Sequence, residues 1–340
     1  MTLRFNLDSQ ISTIPTVTAE LLSSTVAPTL DGNRPIIFTG IGTSLHAARV
    51  AANWVTYLTD GKVRPHAVDA HDMATTLPLT ADDQIVVISH RGTKIFPTAT
   101  LERAAKAGAS TIAVVGQTAP EQPADVTLRT CANETAGTFS VSYIASLVVL
   151  GKIAAQFDQG ARSGFAQSLG ELPAAAAQTI NDSGAGAAAK ILNQADPLLL
   201  VGFGSDLPTV QEAALKIKEG AWMWTEAMSP EFALHGTPAS YHPEMAAVLV
   251  EPTSTTVDGG RTQILSKALT DLGLFAVLSC AEREDADLRF TSPSPLLRPV
   301  TSIIPLLQLT AELAALRGTN PDTMHGDREP WATVMTGLQL

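Results

Sequence analysis

The sequence is poor in cysteine and begins without a leader pattern. Its 340 residues include two cysteines, Cys131 and Cys280, which are too few for a disulfide framework or a zinc cluster. Neither has a base nearby in the sequence, so we expect both to be small core residues of a reduced protein. Residues 1–8 lack a basic segment followed by an apolar one, which argues against a signal peptide. A cytoplasmic protein is therefore expected.

Charged residues are also scarce, and positive charge most of all. They make up 16% of the chain, against about 25% in an average protein. The 45% of residues that are apolar can form a sizeable core, which excludes a mainly disordered chain. Lysine and arginine total 22 against 33 acidic residues, for a net charge of −11. No nucleic-acid partner is expected, because backbone binding needs a basic face. A small anionic ligand is still compatible, since a pocket can be locally positive.

The longest apolar stretch that we identify is too short and too interrupted to cross a membrane. It covers residues 141–157 and is broken by Ser142, Ser146 and Lys152. A membrane-spanning helix needs about 20 predominantly apolar residues. The stretch is therefore predicted to be a buried helix, and no membrane contact is expected.

A strand–turn–helix pattern occurs twice in the chain. Residues 35–39 are predicted to form a buried strand that runs through a turn into a helix at 45–54. Residues 197–201 begin the same pattern, and Gly202 follows Gly40 by 162 residues. Two further strands repeat at spacings of 162 and 163, at residues 85–88 and 247–250, and at 112–115 and 275–278. The repetition indicates an internally duplicated α/β unit.

The repeated unit predicts the fold class. Short apolar strands that alternate with helical stretches are typical of parallel sheets covered by helices on both faces. We therefore expect an α/β protein of two tandem domains, each a three-layer αβα sandwich of the flavodoxin or Rossmann type. The predicted order is a helical segment, a first domain, linker helices, a second domain and a tail, at residues 1–34, 35–165, 166–196, 197–317 and 318–340.

The first glycine turn is a candidate anion site. Gly42 and the glycine two residues before it let backbone N–H groups approach a phosphate at the start of a helix. Thr43 and Ser44 add two hydroxyl groups. A dinucleotide fingerprint would need a third glycine where Leu45 stands, so NAD is not expected. The alternative is a tight turn without a ligand. In the second copy Asp206 would repel a phosphate, so the two copies are expected to differ.

The loop after the second predicted strand carries fixed positive charge. It contains Ser89, His90, Arg91, Thr93 and Lys94. Arginine and lysine pair well with phosphate, and open α/β sheets bind ligands at the carboxyl ends of their strands. The loop is therefore predicted to bind an anion, and the alternative is a solvated loop.

Two side chains are candidates for proton transfer. Glu219 lies on the helix that follows the second glycine turn, and His235 lies 16 residues further on, in a loop that contains glycine and proline. Each residue alone is weak evidence for catalysis, because most glutamates on helices and most histidines in loops have no catalytic role. The histidines and aspartates within residues 66–72 do not have a known metal-ligand spacing, so no metal is expected.

Together these motifs resemble the double SIS (sugar isomerase) domain family of phosphosugar isomerases and deaminases. The resemblance covers nearly the whole chain and is strongest to the isomerase half of glutamine–fructose-6-phosphate amidotransferases. The spacing of 16 between Glu219 and His235 is also the family's spacing. Residues 42–44 match the family's GTS turn, and residues 89–94 occupy the place of its S-x-S-G-x-T phosphate loop. Residues 134–143 resemble its E…T/S-rich segment, residues 214–219 are similar to its ALKLKE motif, and Glu226 and residues 235–238 fall where the family has AE and HGP.

The resemblance implies roles for these residues. Glu219 would move a proton between C1 and C2 of an opened 6-phosphosugar. His235 would help ring opening in the site of a neighbouring subunit, which implies a homodimer with shared sites. Thr43, Ser44 and Ser89 would hold the phosphate of this small-molecule substrate, without a metal or an organic cofactor. The further implied substrate contacts are Gly42, His90, Arg91, Thr93, Lys94, Gly137 and Ser140.

The chain departs from the family pattern in three ways. Arg91 and Lys94 stand where the phosphate loop usually has serine and threonine, which indicates a more anionic ligand or a phosphate held by charge. No lysine follows position 267, although the relatives have one near the C-terminus. The tail offers instead His325, Arg328 and Trp331. A glutaminase domain and its nucleophilic cysteine at position 2 are also missing, so glutamine-dependent amination is not expected.

Several functions stay open at this point. The leading hypothesis is a deaminase or isomerase acting on glucosamine 6-phosphate or fructose 6-phosphate, and the second is cleavage of a phosphorylated fructosamine. A non-catalytic phosphosugar sensor is a third reading. It is disfavoured because no helix-turn-helix is predicted before Ile36 and because Glu219 and His235 are both present.

Overall fold

Two parallel sheets organise the chain in the computed structural model, which describes residues 4–158, 164–254 and 256–338. The described residues divide into two compact units. The first-sheet unit draws on residues 14–134, 141–173 and 333–340, and the second-sheet unit on residues 1–13, 135–140 and 174–332. The parts of the predicted segments at residues 1–3, 159–163 and 339–340 lie outside the described residues.

The first sheet has five parallel strands in the order β2-β1-β3-β4-β5. Its central strand β3 is buried along its whole length, as expected for a strand covered on both faces. The predicted strands at 35–39, 85–88 and 112–115 are confirmed as β1, β3 and β4. The strands are β1 (Ile36–Gly40), β2 (His66–Asp69), β3 (Gln84–Ile88), β4 (Ser110–Val115) and β5 (Val126–Arg129).

The described part of the chain up to residue 169 contains six helices. The leading helix is confirmed as α1, and the apolar stretch at 141–157 forms α5, which is buried over nearly all of its length and packs against α2. The helices are α1 (Asn6–Ser24), α2 (Thr43–Leu58), α3 (Ala70–Thr75), α4 (Ile95–Ala107), α5 (Val141–Ala155) and α6 (Phe165–Leu169).

The second sheet has the same topology as the first. Its parallel strands follow the order β10-β9-β8-β6-β7. When β6 to β10 are numbered 1 to 5 and the order is read from the β7 edge, it becomes 2-1-3-4-5, as in the first sheet. That order places a topological switch point between the first and third strands of each sheet. The strands are β6 (Leu198–Gly202), β7 (Thr225–Met228), β8 (Ala246–Val250), β9 (Ala276–Ala281) and β10 (Leu288–Arg289).

Eight helices, α7 to α14, lie in the described part of the chain after residue 170. Helix α13 is the core helix of the second-sheet unit, since it packs against both α8 and α9 and is buried on nearly all sides. Short 3₁₀ turns occur at Thr237–Ser240 and Pro295–Leu297. The helices are α7 (Leu172–Asn181), α8 (Ala185–Leu192), α9 (Asp206–Ala221), α10 (Pro230–Leu234), α11 (Arg261–Asp271), α12 (Arg298–Thr301), α13 (Ile303–Arg317) and α14 (Trp331–Gly337).

The compact units differ from the sequence-based domain bounds. Most of α7 and all of α8 group with the second sheet instead of linking two domains, because α8 packs on α13. Residues 135–140 join the same unit, since the N–H groups of Gly137 and Thr138 donate to the tail carbonyls of Asp322 and Pro321, at 2.8 and 3.0 Å. These backbone contacts connect segments nearly two hundred residues apart, and a periodicity argument does not detect them.

Among the described residues, one segment is long and apolar enough to cross a membrane, and it differs from the stretch singled out in the sequence. It is Pro295–Arg317, and 83% of its apolar window is buried in the fold. A buried core helix passes the same length and composition test, so the finding is weak evidence for a membrane span. The segment also contains Arg298, whose charge is paired inside the protein.

The two cysteines are confirmed as core residues. Both Cys131 and Cys280 are buried free thiols. Burial raises the pKa of the Cys131 thiol to about 12 and raises that of Cys280 as well. Both side chains therefore remain protonated and unreactive at neutral pH.

A buried arginine neutralises the carboxyl edge of the second sheet. Arg298, 4% exposed, lies 3.0 Å from the Oδ2 atom of Asp206 and also pairs with Glu282. It further donates to the backbone carbonyl of Glu251 at 2.6 Å. Asp206, which was expected only to repel a phosphate, thus belongs to an internal ion network. A carboxylate buried at this depth requires such a partner.

Replacing Arg298 should destabilise the fold strongly. An Arg298→Met variant leaves two carboxylates without their cation, so we expect a loss of about 3–5 kcal/mol in the free energy of unfolding. Denaturant titration measures it. Arg283→Met is the matched control, because Arg283 is 45% exposed and pairs with Glu251 and Asp285 near solvent, where ion pairs contribute about 1 kcal/mol or less. Equal losses in the two variants would contradict the structural role of Arg298.

Candidate functional site

In the turn from β1 into α2, the backbone of Gly40 lies close to Ser44 at the start of the helix. A Cβ atom on Gly40 would lie 2.5 Å from the Cβ atom of Ser44, so only glycine fits there. Gly42 has a φ of 55°, in the region that favours glycine. Helix α2 then begins at Thr43 with no acidic residue in its first turn. The positive end of the helix dipole therefore lies at the carboxyl edge of the sheet.

The loop after β3 meets the same edge. Because β1 and β3 are neighbours, Ser89–Lys94 follows the strand next to the glycine turn, at the switch point of the sheet. Ser89 and His90 are buried, and their backbone groups bond to Val114 and Gly116 on and beyond β4. Arg91 and Thr93 are exposed, Lys94 is half-buried, and Lys94 is the residue that precedes α4. The structure thus brings the predicted phosphate residues 42–44 and 89–94 to neighbouring strand ends.

The charges of this loop affect each other. Burial lowers the pKa of His90, Glu134 opposes that shift, and Arg91 adds to it. Burial also lowers the pKa of Lys94, and Arg91 lowers it further. Helix α4 starts beside them with no acidic residue in its first turn. The loop therefore places Arg91 and Lys94 next to the start of α4, on a chain of net charge −11.

Glu134, in the segment that resembles the family's E…T/S-rich motif, has a structural contact. Its two carboxylate oxygens accept the backbone N–H groups of Val141 and Ser142, at 3.2 and 2.8 Å. These N–H groups belong to the first turn of α5, where a negative charge is stabilised by the helix dipole. Glu134 therefore caps the buried helix of the first-sheet unit.

Gly137 and Ser140 belong to the second-sheet unit, where the segment that holds them lies against the end of α9. A Cβ atom on Gly220 would lie 3.5 Å from the Oγ1 atom of Thr138. A Cβ atom on Gly137 would lie 2.9 Å from the carbonyl oxygen of Asp322. Ser140 itself is fully buried. The close backbone packing therefore connects this segment to the helix that carries Glu219.

Glu219 is held by a buried lysine that the sequence reading did not single out. The Nζ atom of Lys216 lies 2.6 Å from Oε2 of Glu219 and 3.5 Å from Oε1 of Glu212. Glu212 and Lys216 are buried, whereas Glu219 is 24% exposed. The three positions are spaced i, i+4 and i+7, which places them on one face of α9. That spacing was the signal in the sequence for Glu212 and Lys216.

His235 lies at the surface of the second-sheet unit. It follows α10, and its side chain is 73% exposed. Its Nδ1 atom lies 3.0 Å from the backbone carbonyl of Glu231 and 3.2 Å from a carboxylate oxygen of the same residue. The aromatic ring of Phe232 beside it is 63% exposed. The imidazole is thus oriented by Glu231 and accessible from solvent.

The tail residues that stand in place of the family's lysine form an aromatic stack. His325 stacks between Trp222 and Trp331, with ring centroids 3.2 and 4.3 Å away. The guanidinium of Arg328 lies 5.0 Å from the Trp222 ring. Thr319 donates to the carbonyl of Gly220 at 2.7 Å. The tail is therefore fastened to the C-terminal end of α9, at positions one and three residues beyond Glu219.

A polar cleft elsewhere in the second-sheet unit is a poor alternative site. It has a volume of about 250 Å³ and lies beyond β9 and β10. Its cations are already paired, Arg283 with Glu251 and Arg289 with Asp182. Within residues 4–158, 164–254 and 256–338 there is also no group of three or more histidine, cysteine or acidic side chains that could hold a metal ion.

Acid should loosen the aromatic stack. Burial and Arg328 lower the pKa of His325 below its ordinary 6.5, and Asp327 opposes the shift. The buried Nδ1 atom has no hydrogen-bond partner among the described residues, so a second proton would be unsatisfied. The stabilisation that neutral His325 gives the folded protein is therefore complete above the ordinary histidine pKa. It is lost as the pH falls through the lowered pKa of His325 in the folded protein. Thermal unfolding from about pH 8 to about pH 5 should show a larger loss of midpoint in the wild type than in His325→Phe, which keeps a stacking ring. Equal losses would contradict this role of His325.

Comparisons with known proteins give the chain a family. Residues 30–154 match the SIS domain. The glutamine–fructose-6-phosphate aminotransferase (isomerizing) of Pyrococcus horikoshii is 30% identical over 302 residues, which are 84% of this chain and 50% of that protein. The same enzyme of Bacillus subtilis is 28% identical over 304 residues, with coverages of 84% and 49%. The chain thus spans about half the length of the curated relatives it matches.

Solved structures share the fold. The C-terminal domain of the Francisella tularensis aminotransferase superposes with a TM-score of 0.80 at 18% identity, covering 94% of this chain and 98% of that one. Glucosamine-6-phosphate deaminase of Thermotoga maritima gives 0.73 at 20% identity, with coverages of 94% and 95%. Tagatose-6-phosphate ketose/aldose isomerase of Escherichia coli gives 0.75 at 14% identity, with the same coverages. The chain belongs to the family of SIS-domain proteins and is similar to the isomerase half of glutamine–fructose-6-phosphate aminotransferases.

Proposed function

We propose that the protein is a phosphosugar isomerase or deaminase that acts at C1 and C2 of a 6-phosphorylated sugar or amino sugar, such as fructose 6-phosphate or glucosamine 6-phosphate. The observation that carries the proposal is the carboxylate of Glu219, held 2.6 Å from the buried ammonium of Lys216. The names of the similar proteins support the substrate class. We also propose a cytoplasmic location, and a duplication as the origin of the two sheets, whose strand orders agree.

The proposed chemistry needs one base that reaches two carbons. In isomerisation a base removes the proton from C2 of the open aldose, and the electron pair passes to the C1 oxygen as an enediolate. A proton then moves from the C2 hydroxyl to the C1 oxygen, and the base returns its proton at C1, which leaves the ketone at C2. Glu219 is suited to this step because Lys216 fixes its position, while its 24% exposure leaves it accessible. In deamination of a 2-amino sugar the same transfer gives an imine at C2, which water hydrolyses with release of ammonia.

The proposed phosphate site uses the carboxyl edge of the first sheet. Gly42, Thr43 and Ser44 supply the glycine turn, the helix start and hydroxyl groups, and the loop 89–94 adds Ser89, His90, Arg91, Thr93 and Lys94. A phosphate fixed far from the reacting carbons supplies binding energy that can be used in the transition state. Gly137 and Ser140 are proposed as further substrate contacts.

We propose that His235 acts in ring opening across a homodimer. Its imidazole is exposed and oriented by Glu231, and exposed Phe232 lies beside it. An apolar ring next to an accessible histidine suits an interface with a second copy of the chain. Ring opening needs a group that can both accept and donate a proton, and an imidazole can do both.

Replacing Glu219 should abolish chemistry and leave binding intact. In Glu219→Gln we expect the rate of proton exchange to fall by about 10²–10⁴, with ligand affinity within a few-fold of the wild type, because the lost group acts in the transition state. Proton NMR in D₂O follows the C1 and C2 protons of fructose 6-phosphate with and without ammonium, glucosamine 6-phosphate and a 6-phosphofructosamine. Glu244→Gln, at a position 88% exposed, is the charge-matched control. Lost binding in Glu219→Gln would make Glu219 structural. Binding without exchange in the wild type would favour the sensor.

Mixing two inactive variants tests the shared site. A Glu219→Gln chain and a His235→Ala chain together can form one intact site per heterodimer. Complete subunit exchange at equal concentrations should restore about one quarter of the wild-type activity in a two-fold symmetric dimer. Each variant alone is the control. A mixture no more active than the sum of its parts would mean that His235 does not act across subunits.

A further inference from the structure

The loop 89–94 lies against a second loop, residues 116–122, that follows β4. The N–H group of Ser89 donates to the carbonyl of Val114 at 3.0 Å, and the N–H group of Gly116 donates to the carbonyl of His90 at 2.8 Å. A Cβ atom on Gly116 would lie 2.8 Å from the Cε1 atom of His90. The two loops are therefore in direct contact, and the path of the first depends on the second.

A buried glutamine side chain connects the two loops. Gln122 is 9% exposed, and its Nε2 atom donates to the carbonyl of Gly92 at 3.1 Å and to the carbonyl of Pro120 at 2.8 Å. An amide nitrogen carries two hydrogen atoms, so these two bonds use both of them. Nothing in the proposed chemistry uses this side chain, although it bonds directly to the loop proposed to bind phosphate.

The conformation of Gly92 is fixed from both sides of the residue. Its φ is 64°, in the region that favours glycine. Its N–H group donates to the carbonyl of Ser89 at 2.9 Å, which closes a four-residue turn. On the other side, a Cβ atom on Gly92 would lie 2.7 Å from the Nε2 atom of Gln122. The turn therefore sets the direction of the N–H group, and Gln122 sets the direction of the carbonyl.

The direction of its backbone groups decides whether a loop can bind an anion. N–H groups that point into a concave surface attract an anion, whereas a carbonyl oxygen in the same place repels it. In this loop the carbonyls of Ser89, His90 and Gly92 each accept a hydrogen bond from within the protein. The bond to Gly92 is the one among these three that a side chain donates. It is therefore the one that a substitution can remove.

We propose that Gln122 is a positioning residue for phosphate binding, because it holds the carbonyl of Gly92 away from the ligand and so fixes the shape of the loop 89–94. Gln122 acts through the loop and not by contact with the phosphate. The inference rests on the proposed function, and it adds to the proposed phosphate site a residue that lies beyond β4, outside the loop itself.

Removing the amide of Gln122 should weaken phosphate binding. Gln122→Met nearly keeps the size of the side chain and removes both of its hydrogen bonds. The affinity for inorganic phosphate and for fructose 6-phosphate should each fall by about tenfold, because the Gly92 carbonyl is then free to turn toward the ligand. Isothermal titration calorimetry of the full chain at constant ionic strength measures both affinities.

Gln84→Met is the matched control. Gln84 is 4% exposed, and its side chain also makes two hydrogen bonds to backbone, at 2.7 and 2.8 Å, both with Asp31. It is the first residue of β3, so it lies at the opposite end of the strand that leads into the loop 89–94. The two variants should lower the thermal unfolding midpoint similarly. Gln84→Met should nevertheless bind both ligands within about twofold of the wild type.

A second variant approaches the same contact from the loop. Gly92→Ala places a Cβ atom against Gln122 and should also weaken both ligands by about tenfold. Combining it with Gln122→Met should cost less affinity than the product of the two single losses, because both substitutions act on one contact. A combined loss equal to that product would mean that the two residues act independently, which overturns the inference.

The remaining outcomes separate this inference from the proposed function. Wild-type affinity for both ligands in Gln122→Met would overturn the inference and leave the proposed function standing. The same holds if Gln84→Met weakens both ligands as much as Gln122→Met does, since the loss would then follow from general destabilisation of the sheet. Failure of the wild type to bind either ligand would count against the proposed phosphate site and the inference together.

Discussion

Parallel pairing of every strand is the constraint on which this protein's site depends. A parallel neighbour can be reached only through a crossover, so each strand is followed by a loop and a helix that return over the sheet face. All carboxyl ends of one sheet therefore lie at one edge. The glycine turn after β1 and the basic loop after β3, separated by more than forty residues in sequence, become neighbours for this reason. No specific contact between the two segments is needed to bring them together.

Helix α9 is fixed at three levels along its length. At its start, Asp206 is paired with buried Arg298. In its middle, Lys216 connects Glu212 and Glu219. At its end, Thr319 bonds to the carbonyl of Gly220. A carboxylate that must deliver a proton to one of two adjacent carbons gains from such support, because a small displacement changes the reacting geometry.

The sequence predicted what depends on local pattern. Apolar runs and their helical partners located six of the ten strands in the described residues, and short motifs singled out Glu219 and the loop at 89–94. The pairing of Arg298 with Asp206 spans 92 residues, and the stack of Trp222 on His325 spans 103. Such contacts arise from the packing of distant segments. The sequence around one residue of a pair does not indicate which residue is its partner. The contacts among Glu212, Lys216 and Glu219 on α9 could have been predicted from the sequence, since the three residues lie within two helical turns. The roles of the site residues stay predictions.

The backbone pairing of Gly137 and Thr138 with Asp322 and Pro321 has an evolutionary consequence. Amide-to-carbonyl bonds do not depend on side-chain identity, apart from the room that Gly137 provides. Substitutions beyond residue 324 therefore leave these backbone bonds, and with them the path of the tail, unchanged. This strip of sequence is free to diversify while the scaffold beneath it stays constant.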